Sequence, residues 1–179
     1  TQIPEYNEIL SENKIFIERT ADVGVIPADV ALNYGLTGPN LRASGHRYDL
    51  RKEEPYSIYD RFDFDVVVGK GTHGSLGDCW DRYYVRILEM HESIKIIRQA
   101  MADIPKGDVH EAIPKKVRPP KGDIYTRYES ARGELGFYIK SDGKNIPNRV
   151  KMRSPAFARL SALNEMAEGW MMSDVITIL

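Results

Sequence analysis

The sequence predicts an α+β protein, predominantly helical, with a long central helix and a β-hairpin near the C-terminal end. Two patterns and one missing pattern lead to that class. Between Asp78 and Ala102 the residues Trp80, Tyr83, Tyr84, Ile87, Ile94, Ile97 and Met101 recur at helical spacing. Further on, "LGFYIKSD" and "RVKMRS" flank the polar "GKNIPN", the layout of two strands and a loose turn. Strands and helices never alternate as a βαβ series, and no Gly-rich phosphate loop follows a strand, which argues against nucleotide binding.

The elements follow in order. Pro4 to Leu10 suits a short helix, and Lys14 to Arg19 a second one capped by Asn13. "VGVIPADVALNYGLTGPN" gives a turn, a short helix with Pro27 near its first position and Gly35 past its end, then a Gly-Pro turn. "LRASGHRYDLRK" is expected to be loop, with Gly45 as a hinge. "YSIYDRFDFDVVVGKG" alternates aromatic and acidic residues and is expected to be extended, with a short strand at Val66–Val68. Asp78 and Asp81 open the long helix, where its positive end favours acids, and Pro105 and Gly107 close it. "KGDVHEAIPKKVRPPKGD" is a surface connection. Ser154 and Pro155 start a last helix with Phe157, Leu160, Leu163, Met166, Trp170 and Met171 along one face. Residues 1–179 are expected to form a single domain.

Composition narrows the function. A chain 42% hydrophobic and 28% charged is globular rather than disordered. With 25 Lys and Arg against 26 Asp and Glu, its net charge of -1 gives no general attraction to nucleic acid. The single cysteine, Cys79, allows neither an internal disulfide nor a cysteine-ligated cluster. No apolar run approaches the ~18–20 residues of a membrane span, and the N-terminus lacks the layout of a signal peptide. Of His46, His73, His91 and His110, no two stand three or four residues apart, so no metal pair is expected. No catalytic nucleophile is assigned either. The chain begins at Thr1 and ends on the apolar "SDVITIL", which reads as a portion of a longer polypeptide.

Two stretches stand apart. "TGPNLRASG" places a rigid turn before Arg42, then the small Ala43, Ser44 and Gly45, so other backbones can approach the guanidinium. "ARGELG" sets Gly133 and Gly136 on either side of Glu134, next to Arg132. Charges held among small residues pair with carboxylates, carbonyls or a bound anion. Internal ion pairs that merely fix the loops are the equal alternative on these residues alone.

Together these stretches resemble the 49-kDa subunit family of respiratory complex I, NADH:quinone oxidoreductase. The resemblance lies in "NKIFIERTADVGVI", "ALNYGLTGPNLRASGHRYDLRK", "GDCWDRYYVRILEMHESIKII", "RGELGFYIKSDG" and "RVKMRSPAF", and it covers nearly the whole chain. Ala131 stands where family members usually have Pro, and "KGTHGSL" looks like a small insertion. That family is in turn similar to the large subunit of nickel–iron hydrogenases, in which an Arg-Gly segment like Arg132-Gly133 approaches the metal. The resemblance therefore implies a hydrogenase-large-subunit-like fold and a middle-to-C-terminal portion of a longer subunit. It implies a chain that helps form the quinone-reduction chamber, with Arg42, Ser44, Arg132, Gly133 and Glu134 lining or bracing it. It implies no cofactor bound by this chain: NADH, quinone and an iron–sulfur cluster belong in or beside partner subunits. Implied partners are the other complex I subunits, above all the one carrying the terminal cluster, with peripheral contact to the membrane subunits on the cytoplasmic face of the membrane. A large subunit of an energy-converting hydrogenase, a ferredoxin- or deazaflavin-dependent relative, and a purely structural docking domain remain as alternatives.

Overall fold

A computed structural model describes residues 2–110 and 112–179. Helix α1 (Ile3–Tyr6) runs into a π-helical turn at Asn7–Ser11, followed by α2 (Lys14–Thr20), α3 (Ala28–Asn33), α4 (Pro39–Ala43) and α5 (Leu50–Glu53). A 3₁₀ turn at Tyr59–Arg61 precedes the long helix α6 (Cys79–Ala102). Strands β1 (Gly122–Ser130), β2 (Gly133–Ser141) and β3 (Arg149–Arg153) come next, then α7 (Pro155–Ser161), α8 (Leu163–Ala167), a 3₁₀ turn at Met172–Asp174 and α9 (Val175–Ile178). The α+β class stands.

Helix α6 is the axis of the molecule. Its 24 residues span roughly 36 Å at ~1.5 Å per residue. Asp78 caps it by accepting from the Asp81 amide at 2.7 Å, and also takes the Asp22 amide at 2.9 Å. One turn in, Asp81 accepts from the Gly71 amide at 2.9 Å, and Arg82 donates to the carbonyls of Gly24 and Gly77 at 2.8 and 2.7 Å. These bonds tie the loops around Asp22 and Gly71 to the start of the helix, including the stretch read as an insertion. The core forms there: Val23, Ile26, Ala31, Leu36, Leu41, Cys79, Ala162, Met166 and Ile178 pack together. The far half of α6 leaves that core. Trp80 and Ile87 are buried as expected, but Ile97 is 54% and Met101 71% exposed.

The sheet is antiparallel in the order β1-β2-β3. Strands β2 and β3 form the expected hairpin, with β2 starting at Gly133 rather than Leu135. Strand β1 was not expected. It pairs along β2 with Glu129 opposite Glu134 and Ser130 opposite Gly133, so Ala131 and Arg132 make a tight turn.

Other expectations are corrected. Helices α4 and α5 take the two ends of the stretch expected to be loop, while residues 44–49 between them, Gly45 included, are loop as expected. Pro39 fits a first helical turn, where its fixed φ is an advantage, and Asp49 caps α5 through the Arg51 amide at 2.9 Å. Val66–Val68 form no strand. Just before it, the Asp63 and Asp65 amides donate to Gln99 and Glu92 of α6, each at 2.9 Å, so helix side chains hold this segment's backbone. Pro27 is the cap of α3 rather than its first residue. Asn13 caps α2 as expected, accepting from Ile15 and Phe16. The last helix breaks at Ala162 into α7 and α8. Ala162 and Met166 turn into the core, whereas Phe157, Leu160, Trp170 and Met171 are exposed.

Candidate functional site

The two unusual stretches are one structural unit. Gly38 begins α4 with φ +65°, and a Cβ there would lie 2.3 Å from Cα of Gly133. Gly133 has φ +121°, and a Cβ there would lie 2.7 Å from the Thr37 carbonyl oxygen. Only glycine permits both conformations and a crossing this close. Thr37 fixes it, its hydroxyl accepting from the Glu134 amide at 3.0 Å. Gly136 serves a separate need, since a Cβ there would meet the Tyr125 hydroxyl at 2.7 Å.

Behind the crossing lies Arg42, with only 2% of its side chain exposed. Its Nε donates to Glu89 at 2.7 Å, and its Nη1 donates to Glu129 at 3.0 Å and to the Tyr48 carbonyl at 2.9 Å. Asp49 stands 3.5 Å from the same nitrogen and is clasped by both forks of Arg51, at 2.9 and 2.7 Å. Burial works against the Arg42 charge, but Glu89, Glu129 and Asp49 together raise its pKa. Burial also opposes ionisation of Asp49, where the Arg51 bonds and the Arg42 charge prevail and hold it below the usual carboxylate range. At Glu129 burial wins and the pKa is raised. One Glu129 oxygen, Oε2, is buried without a hydrogen-bond partner among the described residues. Glu129 lines a cavity of about 320 Å³ with Arg51, Arg86, Glu89 and Ser93.

The predicted site residues therefore separate. Ser44 is buried and donates to the Ile26 carbonyl at 2.8 Å. Glu134 is buried, accepting from Arg127 at 3.2 Å, while Arg153 donates to its carbonyl at 2.9 Å and to that of Gly35 at 2.8 Å. Arg42, Ser44, Gly133 and Glu134 thus hold the scaffold together. Arg132 alone points outward from the β1–β2 turn and lines a cavity of about 670 Å³ with Arg82, Arg86 and Arg159. Sequence reading missed Arg86, Glu89 and Glu129. Arg82, Arg86 and Glu89 recur at helical spacing on an otherwise partly apolar face of α6, a signal that was there to find.

Chemistry at this site comes from charge and shape. Cys79 is buried, with its sulfur 2.9 Å from the Arg82 guanidinium, and burial raises its thiol pKa. One such thiol does not fit an iron–sulfur cluster, which takes several thiolates. Among the described residues no group of His, Cys, Asp and Glu is arranged to hold a metal, and no helix is long and apolar enough to cross a membrane. What fold and site define is an α+β scaffold around an arginine-lined cavity.

The family model described as "Respiratory-chain NADH dehydrogenase, 49 Kd subunit" matches residues 1–119 and 109–179. The chain belongs to that family. It is 49% identical over 177 residues to an NADH-quinone oxidoreductase subunit of Desulforamulus reducens, covering 99% of this chain and 47% of that one. It is 51% identical over 175 residues to the corresponding protein of Clostridium beijerinckii, covering 98% of this chain and 46% of that one. The counterpart in Chlorobaculum tepidum is 49% identical over 179 residues, covering 98% of this chain and 45% of that one. The chain thus spans about half the length of the relatives it matches.

Proposed function

We propose that the chain is part of a peripheral-arm subunit of NADH:quinone oxidoreductase and helps form the chamber in which quinone is reduced. The observation that carries this reading is the match to NADH-quinone oxidoreductase subunits across 98–99% of the chain. NADH is oxidised in another subunit, and electrons arrive at an iron–sulfur cluster held by a neighbour. The lone buried Cys79 supports that division of labour. The architecture is that of a hydrogenase large subunit whose metal position has become space for quinone. Arg132 borders this space. Glu134, Arg42, Ser44 and Gly133 brace the turn that carries it, since their hydrogen bonds and contacts run inward. The whole protein docks on the cytoplasmic face of the membrane through its neighbours.

Affinity purification of the full-length protein from its host's membranes, with mass spectrometry of what accompanies it, tests the assignment. NADH-oxidising flavin subunits and iron–sulfur subunits are the expected companions. Hydrogenase maturation factors, or membrane subunits without an NADH-oxidising module, would move the chain to an energy-converting relative.

A further inference from the structure

The outer end of the β-sheet gathers charge of one sign. Residues 112–153 hold 11 of the chain's 25 Lys and Arg but only 4 of its 26 Asp and Glu. Two of those acids, Glu129 and Glu134, belong to the inner end, paired with Arg42, Arg127 and Arg153. The other two, Asp123 and Asp142, are taken by Lys140 and Lys144. Lys115, Lys116, Arg118, Lys121, Arg149 and Lys151 are left exposed, with no ion pair among the described residues. The fold brings them together. Lys140 stands opposite both Asp123 and Arg149, and Tyr138 opposite Lys151. The Ser141 hydroxyl donates to the Pro119 carbonyl at 3.2 Å, and a Cβ on Gly143 would touch the Lys121 side chain. The loop that carries Lys115, Lys116 and Arg118 therefore ends beside the β2–β3 turn. Aliphatic side chains sit among these cations: Ile113, Val117 and Ile146 are each more than half exposed, Val117 between Lys116 and Arg118. One face of the sheet continues the apolar surface, with Ile124, Ile139 and Val150 in one row and Thr126, Phe137 and Met152 in the next.

We propose that this end of the sheet rests on an anionic lipid bilayer, its cations at the phosphate headgroups and Ile113, Val117 and Ile146 in the interface. The charge decides the sign of the partner: clustered Lys and Arg beside apolar residues are drawn to anionic lipid. The residue types decide its kind. Four of the six unpaired cations are lysines, which interfaces between proteins disfavour while they favour arginine. A lysine stem covers apolar surface while its ammonium group reaches a headgroup. Exposed aliphatic tips add nothing to phosphate contacts on a nucleic acid, but they do enter a bilayer interface. Strand β1 runs roughly 30 Å, at ~3.3 Å per residue, from this end to the turn that bears Arg132. The contact is thus separate from the proposed quinone site and does not rest on it. It adds direct lipid binding to docking through neighbours.

Flotation of the full-length protein with vesicles tests this, using phosphatidylcholine alone or with about one-third phosphatidylglycerol. Binding is expected on the anionic vesicles and should fall steeply as salt is raised. Lys115→Gln together with Lys116→Gln should weaken it about tenfold, and Val117→Asn several-fold. Lys14→Gln together with Lys70→Gln removes the same charge outside the patch and should leave binding unchanged. Equal binding to neutral vesicles, or the same loss from both lysine pairs, would overturn the proposal. A second readout identifies the occupant in the assembled complex: p-benzoylphenylalanine replaces Val117 in native membranes, and the photoproducts are identified by mass spectrometry. A phospholipid adduct is expected. A peptide adduct, from a neighbouring subunit or from another part of this chain, would overturn the proposal, as would the absence of any adduct. Neither readout involves quinone turnover, so the family-based assignment stands or falls separately.

Discussion

Gly38 and Gly133 cross so closely that a methyl group on the first would lie 2.3 Å from Cα of the second. This crossing explains why glycine stands beside charged residues at the mouth of β2. It locks the start of α4 to the β1–β2 turn, so the buried Arg42 cage and the outward Arg132 are parts of one rigid piece.

Two glycine substitutions contrast an open position with a crossed one. Gly35 and Gly38 share the same φ, +64° and +65°, but a Cβ on Gly35 meets nothing nearer than the Arg153 guanidinium at 3.8 Å. Gly35→Ala should therefore cost about 1 kcal/mol, the left-handed penalty alone. Gly38→Ala adds a clash with backbone that cannot yield, at a ψ of -145° outside the left-handed well, and should cost about 1–3 kcal/mol more. Urea unfolding followed by tryptophan fluorescence measures both. Equal costs would mean the crossing relaxes freely.

Removing Arg42 leaves Glu89, Glu129 and Asp49 gathered around an empty place. Arg42→Met should cost about 3–5 kcal/mol, the usual result of breaking one side of a buried pair. Neutralising an abandoned acid should recover part of the loss. The double variant Arg42→Met with Glu129→Gln is expected to be more stable than Arg42→Met alone, by about 1 kcal/mol. Additive effects would show that Glu129 is not in the cage.

The two carboxyls of that cage should titrate with opposite signs. Asp49 has a depressed pKa, so it contributes stability above its unfolded value of ~3.9 that is lost as pH falls through its folded value. Glu129 has a raised pKa, so its contribution is complete below ~4.3 and fades as pH rises through its folded value. The deficit of Asp49→Asn relative to the unaltered chain should thus shrink on acidification below about pH 4. Glu129→Gln should gain on the unaltered chain as pH rises above about 4.3. Unfolding curves across pH 3–8 read both slopes, and slopes of the same sign would contradict the assignment.

Apolar side chains left uncovered call for neighbours. Ile97 and Met101 on α6, Phe157 on α7, and Met172 and Ile176 near α9 are each more than half exposed. Taken alone, the chain should associate at a concentration on the order of 10 µM and bind an apolar dye such as anilinonaphthalene sulfonate. A monodisperse monomer that ignores the dye would argue that these faces are finished surface.

The residues that were legible in sequence are those whose neighbours are close along the chain. Helix α6, with acids at its start, the Asn13 cap and the β2–β3 hairpin depend on spacing and local turn chemistry, and all of them appear. Strand β1 was hidden because its exposed residues lack a one-sided apolar alternation and its start lies inside a polar, Pro-rich loop. The expected strand at Val66–Val68 does not form, and the segment leading into it is held at Asp63 and Asp65 by side chains of α6, contacts no local pattern encodes. The same distinction holds at the site. Glycines beside Arg42 and Glu134 marked the right places, but which charge faces inward and which outward depends on pairs such as Arg42 with Glu129, 87 residues apart. Only the fold could single out Arg132.

The most direct test of the account is the quinone reductase activity of the assembled complex carrying Arg132→Ala, set against its NADH:ferricyanide activity and the amount of complex present. Arg132 faces the cavity while its supports face inward, so the account predicts normal assembly, unchanged ferricyanide reduction and a fall in quinone reduction of about tenfold, equivalent to ~1.4 kcal/mol. Quinone reduction at the unaltered rate, in a fully assembled complex, would contradict it.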